Sequence, residues 1–311
     1  MNNFGGMAVA LVGPTASGKS ALAHAVALDE RGVEILCVDA MTVYRGMDIG
    51  TAKPTGVERA EVDYHLIDLV DPSEEFTVAQ FQEEARDAAT RVWQGGAAVL
   101  YVGGTGLYGR AVLDNLEIPG QFPKIRHELE SRVVEDLPGL YAELQTIDPL
   151  AASRMEASNE RRVLRALEVS LGSGRPFSSF GNGLLNYGPV RVVQIGLEVE
   201  LEELDRRITE RFESWMDHGL LQEVQRLARA PGGIGRTARQ AVGYRQLLDH
   251  VEREVPLEAC VRDALTHSRR LARRQRSWFH RDPRIEWFSD PDAARRRLVE
   301  VLTSPDGFVR D

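Results

Sequence analysis

Apolar and polar positions follow two rhythms along this chain, and the change between them marks its organisation. Up to about residue 112, short apolar runs alternate with amphipathic stretches. Met7–Val12, Val33–Asp39, His65–Val70 and Ala97–Val102 read as strands. Between the last two, Thr77–Gln94 places Val78, Phe81, Ala85, Ala88, Ala89 and Val92 at helical spacing, and Gly95-Gly96 ends it. Strands separated by helices predict a parallel sheet that binds ligands outside the carboxyl ends of its strands. From Asn115 to Pro189 the strand runs vanish. Short helical stretches take their place at Pro123–Val134, Pro138–Gln145, Pro149–Met155 and Asn159–Leu171, followed by a loop over Gly172–Gly188. A strand resumes at Arg191–Leu197, helices follow at Leu201–Asp217, Leu220–Ala230 and Pro256–His280, and Ile285–Phe288 reads as a short strand.

The first run feeds directly into Gly13-Pro14-Thr15-Ala16-Ser17-Gly18-Lys19-Ser20, a complete G-x-x-x-x-G-K-[ST] phosphate loop, with helix formers after it. Strand, glycine loop and helix make a cradle of backbone N–H groups for a diphosphate or triphosphate. Lys19 adds a point charge, and the Ser20 hydroxyl suits Mg²⁺. The expected class is therefore α/β: a P-loop NTPase-like parallel sheet flanked by helices. Residues 1–114 form the first part of that core, 115–189 a small all-helical insertion, and 190–311 the core's completion with a helical C-terminal region.

Composition narrows the picture modestly. No apolar run reaches the ~20 residues that cross a membrane, and the N-terminal stretch lacks a signal peptide's basic flank. Cys37 and Cys260 stand alone with no CxxC, so neither a disulfide framework nor a zinc site is expected and a cytoplasmic location fits. The net charge of −9 argues against indiscriminate nucleic-acid binding. Yet arginine is concentrated at 262, 269, 270, 273, 274, 276, 281 and 284, and again at 154, 161, 162, 165 and 175. These are either a local grip on a polyanion or solvated helix faces in an arginine-preferring chain.

Asp39 ends an apolar strand, which puts its carboxylate at the phosphate-loop edge of the sheet. There it can take a proton, organise Mg²⁺, or cap a helix. Gly103-Gly104-Thr105-Gly106 follows another strand and reads either as a close backbone approach with a hydroxyl or as a simple turn. No strand ends in Asp-Glu, which disfavours a hydrolytic motor.

Taken together, GPTASGKS, DAMTVYRGMDIGTAKP (39–54), GGTGLY (103–108), GYRQ (243–246) and RRLARRQRSWFH (269–280) resemble bacterial tRNA dimethylallyltransferase, or tRNA isopentenyltransferase, of the IPP transferase family. The resemblance runs from about residue 7 to 289, and MDIGTAKP is its most specific segment. It implies transfer of a dimethylallyl group from dimethylallyl diphosphate to N6 of adenosine 37 in tRNAs reading codons that begin with U. Gly13, Pro14, Thr15, Ala16, Ser17, Gly18, Lys19 and Ser20 would bind the donor with Arg211. Asp39 would be the general base, Lys19 and Thr15 would assist, and Ser20 would carry Mg²⁺, the implied cofactor. The anticodon stem-loop would meet Asp39, Ala40, Met41, Thr42, Thr105, Arg126, Arg161, Arg162, Arg165, Gly243, Tyr244 and Arg245. The base must be flipped to reach such a pocket. A monomer is expected, with no membrane partner. Two residues depart from the family's usual pattern: Ala40 stands where Ser is common and Thr42 where Gln is. A nucleoside or small-molecule kinase using the loop for ATP, and a non-catalytic tRNA-binding P-loop protein, are the rival readings.

Overall fold

The computed structural model describes residues 8–180 and 186–304. Strands β1 (Ala8–Val12), β2 (Val33–Val38), β3 (Tyr64–His65), β4 (Ala98–Gly103), β5 (Val193–Leu197) and β6 (Ile285–Phe288) form one sheet in the order β3-β2-β4-β1-β5-β6. Every pairing is parallel. Strand β1 lies between two neighbours and under helices on both faces, so all its residues are buried, as its unbroken apolar run requires. Gly103 is in register with both Val12 and Val38. The phosphate loop, Asp39 and Gly104 therefore leave the sheet at one edge.

The helices are α1 (Lys19–Asp29), α2 (Gly56–Glu61), α3 (Val78–Gln94), α4 (Gly106–Leu113), α5 (Pro123–Ile147), α6 (Pro149–Ser153), α7 (Glu160–Ser173), α8 (Leu201–Asp217), α9 (Leu220–Arg229), α10 (Tyr244–Arg253), α11 (Leu257–Phe279) and α12 (Pro291–Thr303). Alternation along the strands sends Val9, Leu11, Ile35 and Leu100 to one face, where Ala23 and Val26 of α1 and Leu298 of α12 cover them. Ala10, Leu36, Val38 and Tyr101 point to the other, against Phe81 and Ala85 of α3 and residues of α8–α11. Helix α3 starts at a capping box in which Thr77 and Gln80 satisfy each other's backbone N–H groups.

The chain divides into two compact units, Met1–Leu113 with Pro189–Asp311, and Asp114–Gly188. The smaller one packs α5 against α7 through Leu129, Leu140, Leu144, Val163, Leu164 and Leu167. Asp148 caps α6 at the Ala151 amide and also accepts from Ser178. Among the described residues no helix is long and apolar enough to cross a membrane.

The third strand and a C-terminal helix differ from expectation. The third strand, expected over His65–Val70, shrinks to Tyr64–His65 with an isolated bridge from Val70 to Tyr44. Leu66 and Asp68 adopt φ of 64° and 55°, and Asp68 is turned towards Lys53 and Arg59, which ends the strand. The two helices expected over Pro123–Val134 and Pro138–Gln145 are present as the two arms of α5, separated by the non-helical Asp136 (φ −147°) just ahead of Pro138. Helix α12, not anticipated, begins at the Asp290 cap. Part of the expected loop over Gly172–Gly188, residues 181–185, lies outside the described residues.

Candidate active site

The phosphate loop gains its shape from its glycines and one strained neighbour. Gly18 (φ 93°) caps α1 in the left-handed region, and Ala16 occupies that region at φ 65°, a conformation unfavourable for a side chain by roughly 1–2 kcal/mol. Such backbone turns N–H groups inward, as anion-binding nests do. Two cations flank it. The Arg211 guanidinium of α8 donates to Thr15 Oγ1 at 2.6 Å and lies 4.6 Å above the Trp215 ring. Its Nε is buried without a partner. Lys19 Nζ reaches the Pro14 carbonyl at 3.2 Å. Burial lowers Lys19 from its ordinary value to about 8, Asp39's charge opposing that fall and Arg211's adding to it. Burial likewise lowers Arg211 to about 10, leaving it charged at neutral pH.

Asp39 faces this pair across one cavity of about 440 Å³. Its Oδ1 accepts from the Met41 amide at 2.8 Å and its Oδ2 from the Thr105 hydroxyl at 3.2 Å. Both bonds fix the carboxylate's orientation. Thr105 can stand there because Gly103 and Gly104 admit close approach: a Cβ on Gly103 would sit 2.2 Å from the Val38 carbonyl, and one on Gly104 2.9 Å from Gln275 Nε2. Gln275 of α11 accepts from the Thr15 amide at 2.8 Å, joining the long helix to the loop. Cys37, on β2 two residues before Asp39, is pushed up to about 12 by burial and then by the Asp39 charge, so its thiol stays neutral.

The rest of the cavity is walled by Ala40–Thr42, Gly50–Pro54, Gln240–Val242, Ser268, Leu271 and Arg274, among others. Thr42 is buried and its hydroxyl has no partner. Lys53, whose side chain is fully buried, ties the 39–54 segment to itself through the Tyr44 carbonyl (2.5 Å), Asp48 (2.9 Å) and Asp68 (2.5 Å). Among the described residues no group of three or more His, Cys, Asp or Glu side chains is poised to cage a metal. Ser20, on the first turn of α1, lines the cavity with Asp39. That donor set suits an ion such as Mg²⁺ that arrives on a phosphate ligand, and does not suit one held by protein alone.

The structure thus brings Thr15, Lys19, Ser20, Asp39, Ala40, Met41, Thr42, Thr105 and Arg211 to one cavity. Arg126, Arg161, Arg162 and Arg165 belong to the smaller unit. Arg161 and Arg162 are exposed there, whereas Arg126 is bound to Glu130, and Arg165 to Glu168 and the Pro119 carbonyl. Tyr244 is fully buried with its hydroxyl on Glu223, where it braces protein; Gly243 is buried beside it, and of these three only Arg245 is exposed. Gln275, Trp215 and Glu223 were not singled out from sequence. Gln275 alone sits inside a recognised motif, the RRLARRQRSWFH run.

A sequence model of the family described as IPP transferase matches residues 42–282. A tRNA dimethylallyltransferase of Bifidobacterium animalis subsp. lactis is 44% identical over 291 residues, 92% of this chain and 83% of that protein. One of Paenarthrobacter aurescens is 44% identical over 94% of each. Among solved structures, a tRNA isopentenylpyrophosphate transferase of Bacillus halodurans is 37% identical with a TM-score of 0.66, covering 94% of both chains. A eukaryotic dimethylallyltransferase acting on tRNA superposes with a TM-score of 0.76 at 25% identity, over 95% of this chain and 78% of the other.

Proposed function

The chain belongs to the IPP transferase family as an enzyme with tRNA dimethylallyltransferase activity, and we propose how its cavity performs that transfer. The donor is dimethylallyl diphosphate and the acceptor is N6 of adenosine 37, in the anticodon stem-loop of tRNAs reading codons that begin with U. The observation that carries this reading is the placing of one carboxylate, Asp39, and two cations, Lys19 and Arg211, around a single cavity. A buried guanidinium nitrogen with no partner beside a phosphate loop calls for an anion.

The diphosphate sits in the loop Thr15–Ser20 on the amides of Gly18, Lys19 and Ser20, with the Lys19 and Arg211 side chains on its oxygens. The N6 amine of adenine is a poor nucleophile because its lone pair is delocalised into the ring. Asp39, oriented by the Met41 amide and Thr105, accepts the N6 proton as the bond from N6 to the allylic carbon forms. The carbon–oxygen bond breaks, and its electron pair leaves with the diphosphate, whose growing charge the two cations and the loop amides stabilise. Mg²⁺, when bound through the diphosphate and Ser20, supplies further charge neutralisation. Ala40–Thr42 flank the flipped base, and the buried Thr42 hydroxyl offers it a hydrogen bond. Exposed Arg270 and Arg274 of α11 meet backbone phosphates.

Incubation with labelled dimethylallyl diphosphate, Mg²⁺ and unmodified tRNA, followed by nucleoside analysis, tests the reading. The expected product is N6-dimethylallyladenosine at position 37. Label at another position, or phosphoryl transfer from ATP with no need for tRNA, would overturn it.

A further inference from the structure

Behind the cavity wall lie two buried polar side chains that the mechanism above does not use. Glu223 of α9 is 4% exposed, Tyr244 of α10 is 0% exposed, and neither lines the cavity. Glu223 Oε2 accepts from the amides of Asp48 and Ile49, both at 3.1 Å, and Oε1 lies 3.2 Å from the Ile49 amide. The Tyr244 hydroxyl donates to Glu223 Oε1 and accepts from the Gly50 amide at 3.2 Å. Three consecutive amides of one turn therefore end on two side chains from different helices. That turn leads into Gly50–Pro54, and Tyr244 follows closely on Gln240–Val242, so the pair joins two walls of the cavity.

The junction has no slack. A Cβ on Gly50 would lie 2.6 Å from Tyr244 Cε2 and 2.9 Å from Leu220 Cδ1. Burial first, and then the Glu223 charge, raises Tyr244 far above the ordinary phenol range, so it stays a donor at any working pH. A buried carboxylate is a costly way to hold a loop, since well-packed apolar residues often stabilise as well or better. It does supply direction: fixed acceptors set the position of three amides at once.

We propose that Glu223 and Tyr244 are positioning residues that fix the Gly50–Pro54 wall against Gln240–Val242, so that the acceptor base meets Asp39 in reacting geometry. The proposal rests on the reading of the cavity as the acceptor pocket. Among the described residues, the donor cradle of Thr15, Lys19, Arg211 and Gln275 makes no hydrogen bond to this pair, so donor binding and acceptor presentation separate.

Tyr244→Phe, Glu223→Gln and Gly50→Ala test it in steady-state transfer, with competent sites counted by donor binding. Tyr244→Phe strands the Gly50 amide, and the expected loss is about tenfold in kcat/KM for tRNA per competent site, with the donor KM within about twofold of the parent. Glu223→Gln keeps one acceptor oxygen and falls between. Gly50→Ala leaves both side chains in place but forces the turn away, and reproduces the tRNA-side loss. If Tyr244→Phe fails to fold, the other two variants decide. A purely structural role would lower the melting temperature and the number of competent sites while leaving both KM values unchanged, and that result overturns the proposal, as does an equal loss for both substrates. Asp39→Ala run alongside separates the two readings. Undiminished turnover there removes the base assignment, and the donor–acceptor split still reports on the wall.

Discussion

Arg211 and the arginines of α11 carry the same charge within one unit of the fold, in opposite surroundings. Arg211 is half-buried beside the phosphate loop, its Nε fully so, with a hydroxyl, an aromatic face and no acid. Along α11, Arg273 pairs with Asp205 at 2.7 Å, Arg276 with Glu198 at 2.6 Å and Arg262 with Glu258 at 3.8 Å, while just beyond the helix Arg284 pairs with Asp282 at 2.6 Å. Arg269 donates to Thr209. Only Arg270, Arg274 and Arg281 of that cluster are exposed with no ion pair among the described residues. Exposed pairs are each worth about 0–1 kcal/mol and can exchange partners cheaply. A cation with a buried, unpartnered nitrogen and no acid is a standing demand for an anion. A count of arginines therefore overstates the surface offered to a polyanion, and what each one already touches decides its use.

The sharpest way to break this contrast is to remove the acid that belongs to the cradle. Asp39→Ala is expected to lower kcat by about 10²–10⁴-fold. Donor affinity should not weaken, because the change takes a negative charge away from Lys19. Rapid-quench turnover with a separate donor-binding titration checks both halves. Weaker donor binding would mean that Asp39 serves the diphosphate side. Next in size is Arg211→Ala, expected to reduce kcat/KM for the donor by about 10²–10³-fold, as loss of a preorganised charge does. Lys19→Ala should act on donor KM and kcat together, because its charge meets the diphosphate before and during the reaction.

How legible each cation was follows from how local its role is. The cradle was readable because GPTASGKS is one continuous segment between a strand and a helix, and Asp39 because it ends an apolar run on the same edge. Arg211 came only through the family resemblance; nothing in helical spacing marks it. Gln275 and Glu223 could not be read at all, since their partners lie 260 and 175 residues away and no periodicity encodes such pairings. The burial of Tyr244 was not legible, because a motif shows which residue type recurs and not which way it faces. Similarly, the shortening of β3 is caused by Lys53 and Arg59 drawing Asp68 aside, a contact made across a loop.

The lowered Lys19 makes the cradle sensitive to pH. In the unliganded protein Lys19 loses its proton near pH 8, and an anionic donor binds the protonated form better. Donor affinity is therefore expected to hold below about pH 8 and to fall above it, by up to about tenfold per pH unit, with Arg211 still charged. Calorimetric titration from pH 6.5 to 9.5 measures this. In Lys19→Met the fall should vanish, and its persistence would assign the titration to another group.

The smallest effects should come from the helix, and they sort its arginines from one another. Arg270 and Arg274 stand four residues apart on one exposed face of α11, where like charges repel by a few tenths of a kcal/mol unless a polyanion lies between them. Arg274 also lines the cavity. Replacing both by alanine is expected to raise the KM for tRNA several-fold and to reduce the slope of log KM against log salt by about one to two, as loss of one or two phosphate contacts does. Arg273→Ala frees Asp205, removes a surface pair and no phosphate contact, and should leave both quantities within about twofold of the parent. If Arg273→Ala instead matches the double change, the pair with Asp205 opens on binding. Availability to RNA would then be set by the complex and not by the partners seen in the free protein.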